Sequence, residues 1–346
     1  MPGESFFMIN EIRDTPNALN WISRNIESIQ DVAELITNKG IEKLFFIGCG
    51  SSYYAAMHGI YHLIGSKFEV YSLPSSEFLF YYKRGIDNKT AVIALSRSGN
   101  TAETVTAMRE ARSKEALTIG FTCTKGSMLD READKSLVID IGEEKSIIMT
   151  KSFTSLSIVT SILSMILSSK INSYRDEIKK LKEISENILK IENKIKEKAS
   201  EKINIERFVF LGQGPTYPTV LEGALKLKET SYIASEGLHA LEFRHGPMSS
   251  IGEKLTINAL MVKGESHSAV NTLIEEIVNK GADVTVFTNS DSVDLGEVIK
   301  IPSELSEELS AILFIIPLQL FAFYYSTGKG INPDSPRHLS KYIAKF

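Results

Sequence analysis

The clearest pattern in the chain is a set of short runs in which every residue is apolar. Leu44–Ile47 and Val92–Leu95 have no polar interruption, and each stops abruptly at a turn rich in glycine or serine. A strand covered on both faces of a parallel sheet needs such a run. The pattern predicts strands at 43–48, 69–72, 91–95, 117–121 and 137–140, with helical stretches between them. A near copy follows. Ile41-Glu42-Lys43-Leu44-Phe45-Phe46-Ile47-Gly48-Cys49-Gly50-Ser51-Ser52-Tyr53 is matched by Ile205-Glu206-Arg207-Phe208-Val209-Phe210-Leu211-Gly212-Gln213-Gly214-Pro215-Thr216-Tyr217. Ala94-Leu95 with Gly99 lines up with Ala259-Leu260 and Gly264, and Phe121-Thr122 with Phe287-Thr288. The offset stays at about 165 residues. The chain therefore reads as two copies of one α/β unit, each a doubly wound parallel sheet flanked by helices.

Between the copies, Lys170–Lys202 is dense in lysine and glutamate, while Ile178, Leu181, Ile184 and Ile188 recur at helical spacing. This predicts an amphipathic connecting helix or helix pair whose charges form a solvated face. The stretch before Ser28, which holds the only tryptophan, Trp21, predicts a helix packed across one unit. The expected division is 1–27 as a helical segment, 28–170 and 204–330 as the two units, 171–203 as connecting helices and 331–346 as a closing tail. Leu156–Leu167 and Ala311–Tyr325 are apolar but interrupted by serine, threonine, proline or glutamine. Both fall short of the roughly 18 clean apolar residues of a membrane span, so buried core helices are expected and no membrane partner.

Composition changes this picture little. At 346 residues two full cores fit, and a net charge of −4 gives no basic excess for nucleic acid. Two cysteines far apart, Cys49 and Cys123, make neither a disulfide framework nor a zinc site and suit a reducing, cytoplasmic setting. No basic segment followed by an apolar core marks a signal peptide at the N-terminus.

Two stretches carry candidate chemistry. The first is Ser96-Arg97-Ser98-Gly99-Asn100-Thr101, directly after a strand and before a helical pattern from Ala102 to Arg112. A strand–turn–helix aims backbone N–H groups, three hydroxyls and the positive helix end at one point, which suits a phosphate or carboxylate. An ordinary helix cap by Ser98 or Asn100 reads equally well from these residues alone. The second copy has Met261 and Lys263 in place of Ser96 and Ser98, so one phosphate site is expected, in the first unit. Gly48-Cys49-Gly50 does not extend to a dinucleotide fingerprint, because Tyr53 takes the third glycine position.

The second stretch is Leu221–Pro247. Glu222, Lys226 and Glu229 share one helix face. Spacing alone favours a surface ion-pair ladder; the alternative is a carboxylate at a cleft edge that moves protons between adjacent carbons. His245 lies in a rigid Gly-Pro turn and can pass a proton to a ring oxygen. His58 and His62 are one turn apart with no third ligand placed nearby, which favours a core or surface role over a metal site. A tail lysine, Lys341, can form an imine with a carbonyl if it is partly buried.

The residues Gly48–Tyr53, Ser96–Thr101, Thr150–Phe153, Leu221–Tyr232, Arg244–Pro247 and Asp334–Lys341, in that order, resemble the isomerase half of glutamine–fructose-6-phosphate amidotransferases, a tandem pair of sugar-isomerase (SIS) domains. The resemblance starts near Met8 and runs to the tail. It implies a hexose 6-phosphate ligand. Ser96, Arg97 through its backbone, Ser98 and Thr101 would hold the phosphate, with Ser52 contacting sugar or phosphate. Glu144 and Ile147 would line the sugar site, Lys226 would bind beside Glu229, and Glu229 would shuttle a proton between C1 and C2. His245 would open the ring in a neighbouring subunit, and Lys341 would react with or stabilise the open-chain ketose. A homodimer is implied, with no metal or organic cofactor.

The chain departs from that pattern at Asn100, Met149, His338 and Tyr342–Phe346. It also begins Met1-Pro2-Gly3, without the terminal cysteine of a glutaminase. The resulting expectation is a glucosamine-6-phosphate deaminase that yields fructose 6-phosphate and ammonia. The alternatives are an ammonia-dependent synthase, a fructosamine-6-phosphate deglycase and a non-catalytic sugar-phosphate sensor. A sensor needs only the turn and a pocket, whereas Glu229, His245 and Lys341 are all present.

Overall fold

A computed structural model describes residues 6–346. The first five residues, including the Met1-Pro2-Gly3 start, lie outside the described residues. Helices α1 (Phe7–Arg13), α2 (Thr15–Arg24) and α3 (Ile26–Asn38) precede the first strand. The N-terminal stretch is thus more than the one helix expected, with Trp21 on α2. Then come β1 (Lys43–Gly48), α4 (Ser51–Leu63), β2 (Glu69–Pro74), α5 (Ser75–Phe80), β3 (Thr90–Ser96), α6 (Ala102–Ser113), β4 (Leu117–Thr122), α7 (Met128–Glu132), β5 (Lys135–Val138) and α8 (Lys151–Leu167). The lysine-rich stretch is a helix pair, α9 (Ile171–Leu189) and α10 (Glu192–Glu201). The second copy runs β6 (Arg207–Gly212), α11 (Thr216–Ser231), β7 (Ala234–His239), β8 (Leu255–Met261), α12 (His267–Asn279), β9 (Asp283–Thr288), β10 (Glu297–Lys300), α13 (Glu307–Leu313) and α14 (Ile315–Gly328).

Both sheets are five-stranded and parallel, in the orders β2-β1-β3-β4-β5 and β7-β6-β8-β9-β10. The repeat is therefore a repeat of topology, down to register. Phe45 pairs with Val92 and Ile47 with Ala94 in one sheet; Val209 pairs with Ile257 and Leu211 with Ala259 in the other. The central strands β3, β4 and β8 are buried along their whole length, which accounts for the unbroken apolar run Ala91–Leu95 of β3, while Thr118 in β4 and Thr256 and Asn258 in β8 are polar residues buried with them. In each sheet the strand order reverses direction between the first and third strands, and ligands of such folds sit beyond the carboxyl ends there.

By compactness the described residues divide into two units. The first-sheet unit is Asn17–Glu144, Met149–Leu181 and Leu339–Phe346. The second-sheet unit is the described residues up to Pro16, with Lys145–Ile148 and Lys182–His338. In the first-sheet unit α8 packs on α4 and is buried nearly all round. Its hydroxyls turn back on the helix: Ser157 Oγ donates to the Phe153 carbonyl at 2.9 Å and Thr160 Oγ1 to that of Leu156 at 2.7 Å. In the second-sheet unit, residues 307–328 together are long and apolar enough to cross a membrane, which corrects the expectation that this run falls short. Of that apolar window, 94% is buried inside the protein, as in a core helix.

His58 and His62 on α4 are both buried, at 2% and 1% exposure. The His62 ring meets Tyr174 edge-on at 5.3 Å, and neither of its ring nitrogens has a hydrogen-bond partner. Burial pushes both imidazoles down, His58 to about 3 with help from His62, and His62 to about 4 with help from Lys170. A folded-state value below the ordinary 6.5 makes each a source of stability that is complete above pH 6.5 and lost as pH falls toward the folded value. Each neutral histidine should steepen the loss by about 1.4 kcal/mol per pH unit in that window. Urea titrations at pH 7 and pH 5 should show this loss in the wild type and a smaller one in His62→Leu.

Candidate active site

In the first-sheet unit β3 ends at Ser96, which is 2% exposed, and α6 begins at Ala102. The residues between form a tight turn. Ser96 Oγ lies 3.0 Å from Thr101 Oγ1 and 3.4 Å from Ser98 Oγ, so the three hydroxyls cluster. The Gly99 N–H donates to Ser96 Oγ and the Asn100 N–H to Ser98 Oγ, at 3.1 and 3.2 Å. Gly99 sits at φ +62°, and a β-carbon there would collide with Ser127 and lie 2.7 Å from Thr122 Oγ1. Only glycine fits. The Arg97 carbonyl accepts from Cys123 N–H, Thr122 Oγ1 and Thr124 Oγ1, which fixes the turn to the end of β4. Thr101 caps α6 without a side-chain bond to its own helix, so simple capping does not account for the hydroxyls. Asn100 Oδ1 instead accepts from the Met128 N–H at 3.0 Å, a bond an amide makes without adding negative charge.

Arg97 and Glu144 form a buried ion pair at 2.9 Å, with side chains 8% and 4% exposed. The Glu144 carboxylate also accepts from the N–H and hydroxyl of Thr150 and of Ser152, at 2.6 to 3.1 Å. Burial alone would raise the Glu144 carboxyl; the Arg97 charge and these donors more than offset it and hold it below the usual range. Arg97, Ser98, Cys123, Asp140, Glu144 and Lys341 lie around a cavity of about 470 Å³. Lys341 Nζ donates to the Glu144 carbonyl at 2.5 Å. Ser52, on the first turn of α4, is 5% exposed, with its hydroxyl 3.8 Å from the Met149 sulfur. Sequence reasoning gave no role to Thr150, Ser152 or Cys123; the Thr150–Phe153 stretch was the available signal for the first two.

The second-sheet unit holds the other predicted residues. On α11, Lys226 Nζ lies 2.6 Å from Glu229 Oε2 and 3.1 Å from Glu222 Oε1. Lys226 and Glu222 have no exposed side-chain surface, and Glu229 keeps 19%. The expected surface ladder is thus corrected: this is a buried triad, because α11 packs between its sheet and α14. Burial works against the Lys226 charge, but Glu222 and Glu229 outweigh it and raise its pKa. Glu229 is the one member of the triad with exposed side-chain surface. His245 is exposed, between the short helical turn Leu241–Arg244 and Gly246. Ile147 is half-buried in the segment 145–148, where the Glu11 carboxylate accepts from the Ser146 N–H at 3.0 Å and also from the Lys145 N–H and Ser146 hydroxyl. His338 has φ +59°, a left-handed position that asparagine fills readily and histidine tolerates.

The SIS domain model matches this chain twice, at residues 36–166 and 203–327. The chain belongs to the SIS domain family. Each SIS domain coincides with one sheet. Over 99% of its length the chain is 35% identical to a glutamine–fructose-6-phosphate aminotransferase (isomerizing) from Pyrococcus horikoshii, and it spans 58% of that relative. A glucosamine-6-phosphate deaminase structure from Thermotoga maritima superimposes with a TM-score of 0.81 and 26% identity, covering 97% of this chain and 99% of that one. The C-terminal domain of the Francisella tularensis aminotransferase shares the fold at a TM-score of 0.88 and 24% identity, covering 96% and 99% of the two chains.

The two SIS domains differ at the turn after their third strand. In the second, the Glu265 N–H donates to Glu307 Oε2 at 3.0 Å, and a β-carbon on Gly264 would collide with the Glu307 carboxylate. A built-in carboxylate takes the place where the first domain offers hydroxyls. Burial, with the charges of Glu308 and Glu265, raises the Glu307 pKa despite the Glu265 hydrogen bond.

Removing one partner of a buried charge group strands the others. Lys226→Met should therefore cost about 3–5 kcal/mol of stability, read from denaturant midpoints. Gly99→Ala should weaken phosphate-ester binding strongly while the rest of the SIS domain stays folded, checked by calorimetric titration with glucose 6-phosphate beside circular dichroism.

Proposed function

We propose that the chain is an amino-sugar phosphate isomerase and deaminase, converting glucosamine 6-phosphate and water to fructose 6-phosphate and ammonia. The observation that carries this reading is the pairing of Glu229 with Lys226. A half-buried carboxylate lies 2.6 Å from an ammonium with no exposed surface. A carboxylate so placed can act as a base toward a ligand that reaches its exposed edge.

The steps follow from the chemistry of the residues. Ser96, Ser98, Thr101 and the Arg97 backbone hold the phosphate, and Ser52 contacts the sugar or phosphate. Glu144 and Ile147 line the sugar site. His245 passes a proton to the ring oxygen as the ring opens to the C1 aldehyde. Glu229 takes the C2 proton and returns it to C1 while a proton from the amine passes to O1, leaving a C1 hydroxymethyl and an imine at C2. Water adds there, ammonia leaves, and a C2 ketone remains. Lys341 holds the open-chain sugar. A homodimer in which His245 serves the partner's site belongs to the same reading. So does a cytoplasmic setting, which the two free thiols of Cys49 and Cys123 suit.

A second reading runs the reaction backwards, with free ammonia and fructose 6-phosphate. The aminotransferase name of the Pyrococcus horikoshii relative supports it. Endpoint assays separate the two. Glucosamine 6-phosphate should yield ammonia and fructose 6-phosphate, and Glu229→Gln should lower that rate by at least about 100-fold, as expected for loss of a positioned base. Turnover only with fructose 6-phosphate and ammonium would select the reverse reading. No turnover either way, with sugar-phosphate binding intact, would leave a sensor.

A further inference from the structure

The Arg97 side chain has no part in the proposed phosphate grip, which uses that residue's backbone. It is nevertheless one of the least exposed charged groups in the first-sheet unit, at 7%. Its guanidinium reaches two places at once. Nη1 donates to Glu144 Oε2 at 2.9 Å, and Nη2 donates to the Lys341 carbonyl at 3.1 Å. The Lys341 ammonium in turn donates to the Glu144 carbonyl. Turn, loop and tail thus close a ring of three residues. Two residues further along the tail, the Ile343 carbonyl accepts from the Ala102 N–H at 2.9 Å, on the first turn of α6. Phe346 packs on Phe80 at 5.8 Å between ring centres.

The tail otherwise has little to hold it. Leu339–Phe346 forms no helix or strand, and all eight residues are exposed. An exposed, irregular segment does not keep a lysine in place by itself. A planar, always-charged fork with one arm on a buried carboxylate can do so, because its own position is already fixed.

We propose that Arg97 is a positioning residue, whose guanidinium, locked by Glu144, holds the tail so that the Lys341 ammonium stays at the mouth of the 470 Å³ cavity beside the hydroxyl-rich turn. The consequence for turnover rests on the role given to Lys341 above. The anchoring itself does not. Ser98, one residue from Arg97, belongs to the hydroxyl cluster, so the segment that grips the phosphate also sets the lysine.

The test compares wild type with Arg97→Lys and with Arg97→Gln/Glu144→Gln. The lysine variant keeps the charge beside Glu144 but cannot span both partners. The double variant removes both charges and so avoids stranding a buried carboxylate. Limited trypsin digestion, followed by mass spectrometry without any ligand, reads the tail directly. Cleavage after Lys341 should speed up about 10-fold in both variants, as expected for a segment freed from its anchor. Cleavage after Arg337 is the internal control. That residue stacks on Tyr232 at 4.4 Å, and its N–H donates to the Tyr232 hydroxyl, so its rate should not change. With glucosamine 6-phosphate, kcat should fall about 10- to 100-fold while KM stays within about threefold, the mark of a misplaced group and not of lost binding. Unchanged cleavage after Lys341 would overturn the anchoring. Faster cleavage with a raised KM and an intact kcat would overturn the positioning role. If wild type turns over neither sugar phosphate, the functional reading fails, and the proteolysis alone still decides whether Arg97 anchors the tail.

Discussion

The structure depends on the complete burial of its central parallel strands. A strand covered on both faces sets every side chain against the core, and even the polar Thr90 of β3 and Thr256 and Asn258 of β8 are buried there. Chemistry is displaced to where the strands stop. Ser96 is the last residue of β3 and the first able to face a ligand. Its hydroxyl still belongs to the core by exposure, yet it meets Thr101 and Ser98 in the turn. The apolar run and the hydroxyl cluster are therefore two consequences of one constraint.

That constraint is also why so much was legible in the sequence. Continuous apolar runs marked the central strands, and duplication of the run with its turn marked the second sheet, whose order and register repeat the first. The turn Ser96–Thr101 stood out through residue type and its place after a strand, whereas the roles expected of Glu229 and His245 came from the resemblance, since spacing alone favoured a surface ladder. What spacing could not show was depth. Glu222, Lys226 and Glu229 at helical intervals look the same on a solvated face as on a buried one. Only the packing of α11 against α14 removes Lys226 from water and turns a ladder into a triad. The Glu144 network was hidden for a related reason. Thr150 and Ser152 lie within eight residues of Glu144, but Arg97 is 47 residues away and Lys341 nearly 200. No local pattern reports such a meeting.

Both buried charge groups solve the same electrostatic problem, and they solve it differently. A lone carboxylate in the interior would take up a proton. Glu144 escapes this by collecting one guanidinium and four neutral donors, which leaves it ionised and unavailable. Such a group organises a loop. Glu229 shares one ammonium with Glu222 and keeps part of its surface in solvent. The contrast is between a carboxylate closed off by its partners and one that keeps an exposed edge.

The difference between the two SIS domains follows the same logic. A strand–turn–helix presents unpaired N–H groups, and these must be satisfied from somewhere. The first domain surrounds its turn with the hydroxyls of Ser96, Ser98 and Thr101, which meet one another and accept from the turn's N–H groups. The second domain completes its turn from within, using the Glu307 carboxylate against Gly264 and the Glu265 N–H. Duplication supplied two corresponding turns, and they differ both by Glu307 at the start of α13 and by Met261 and Lys263 in place of Ser96 and Ser98.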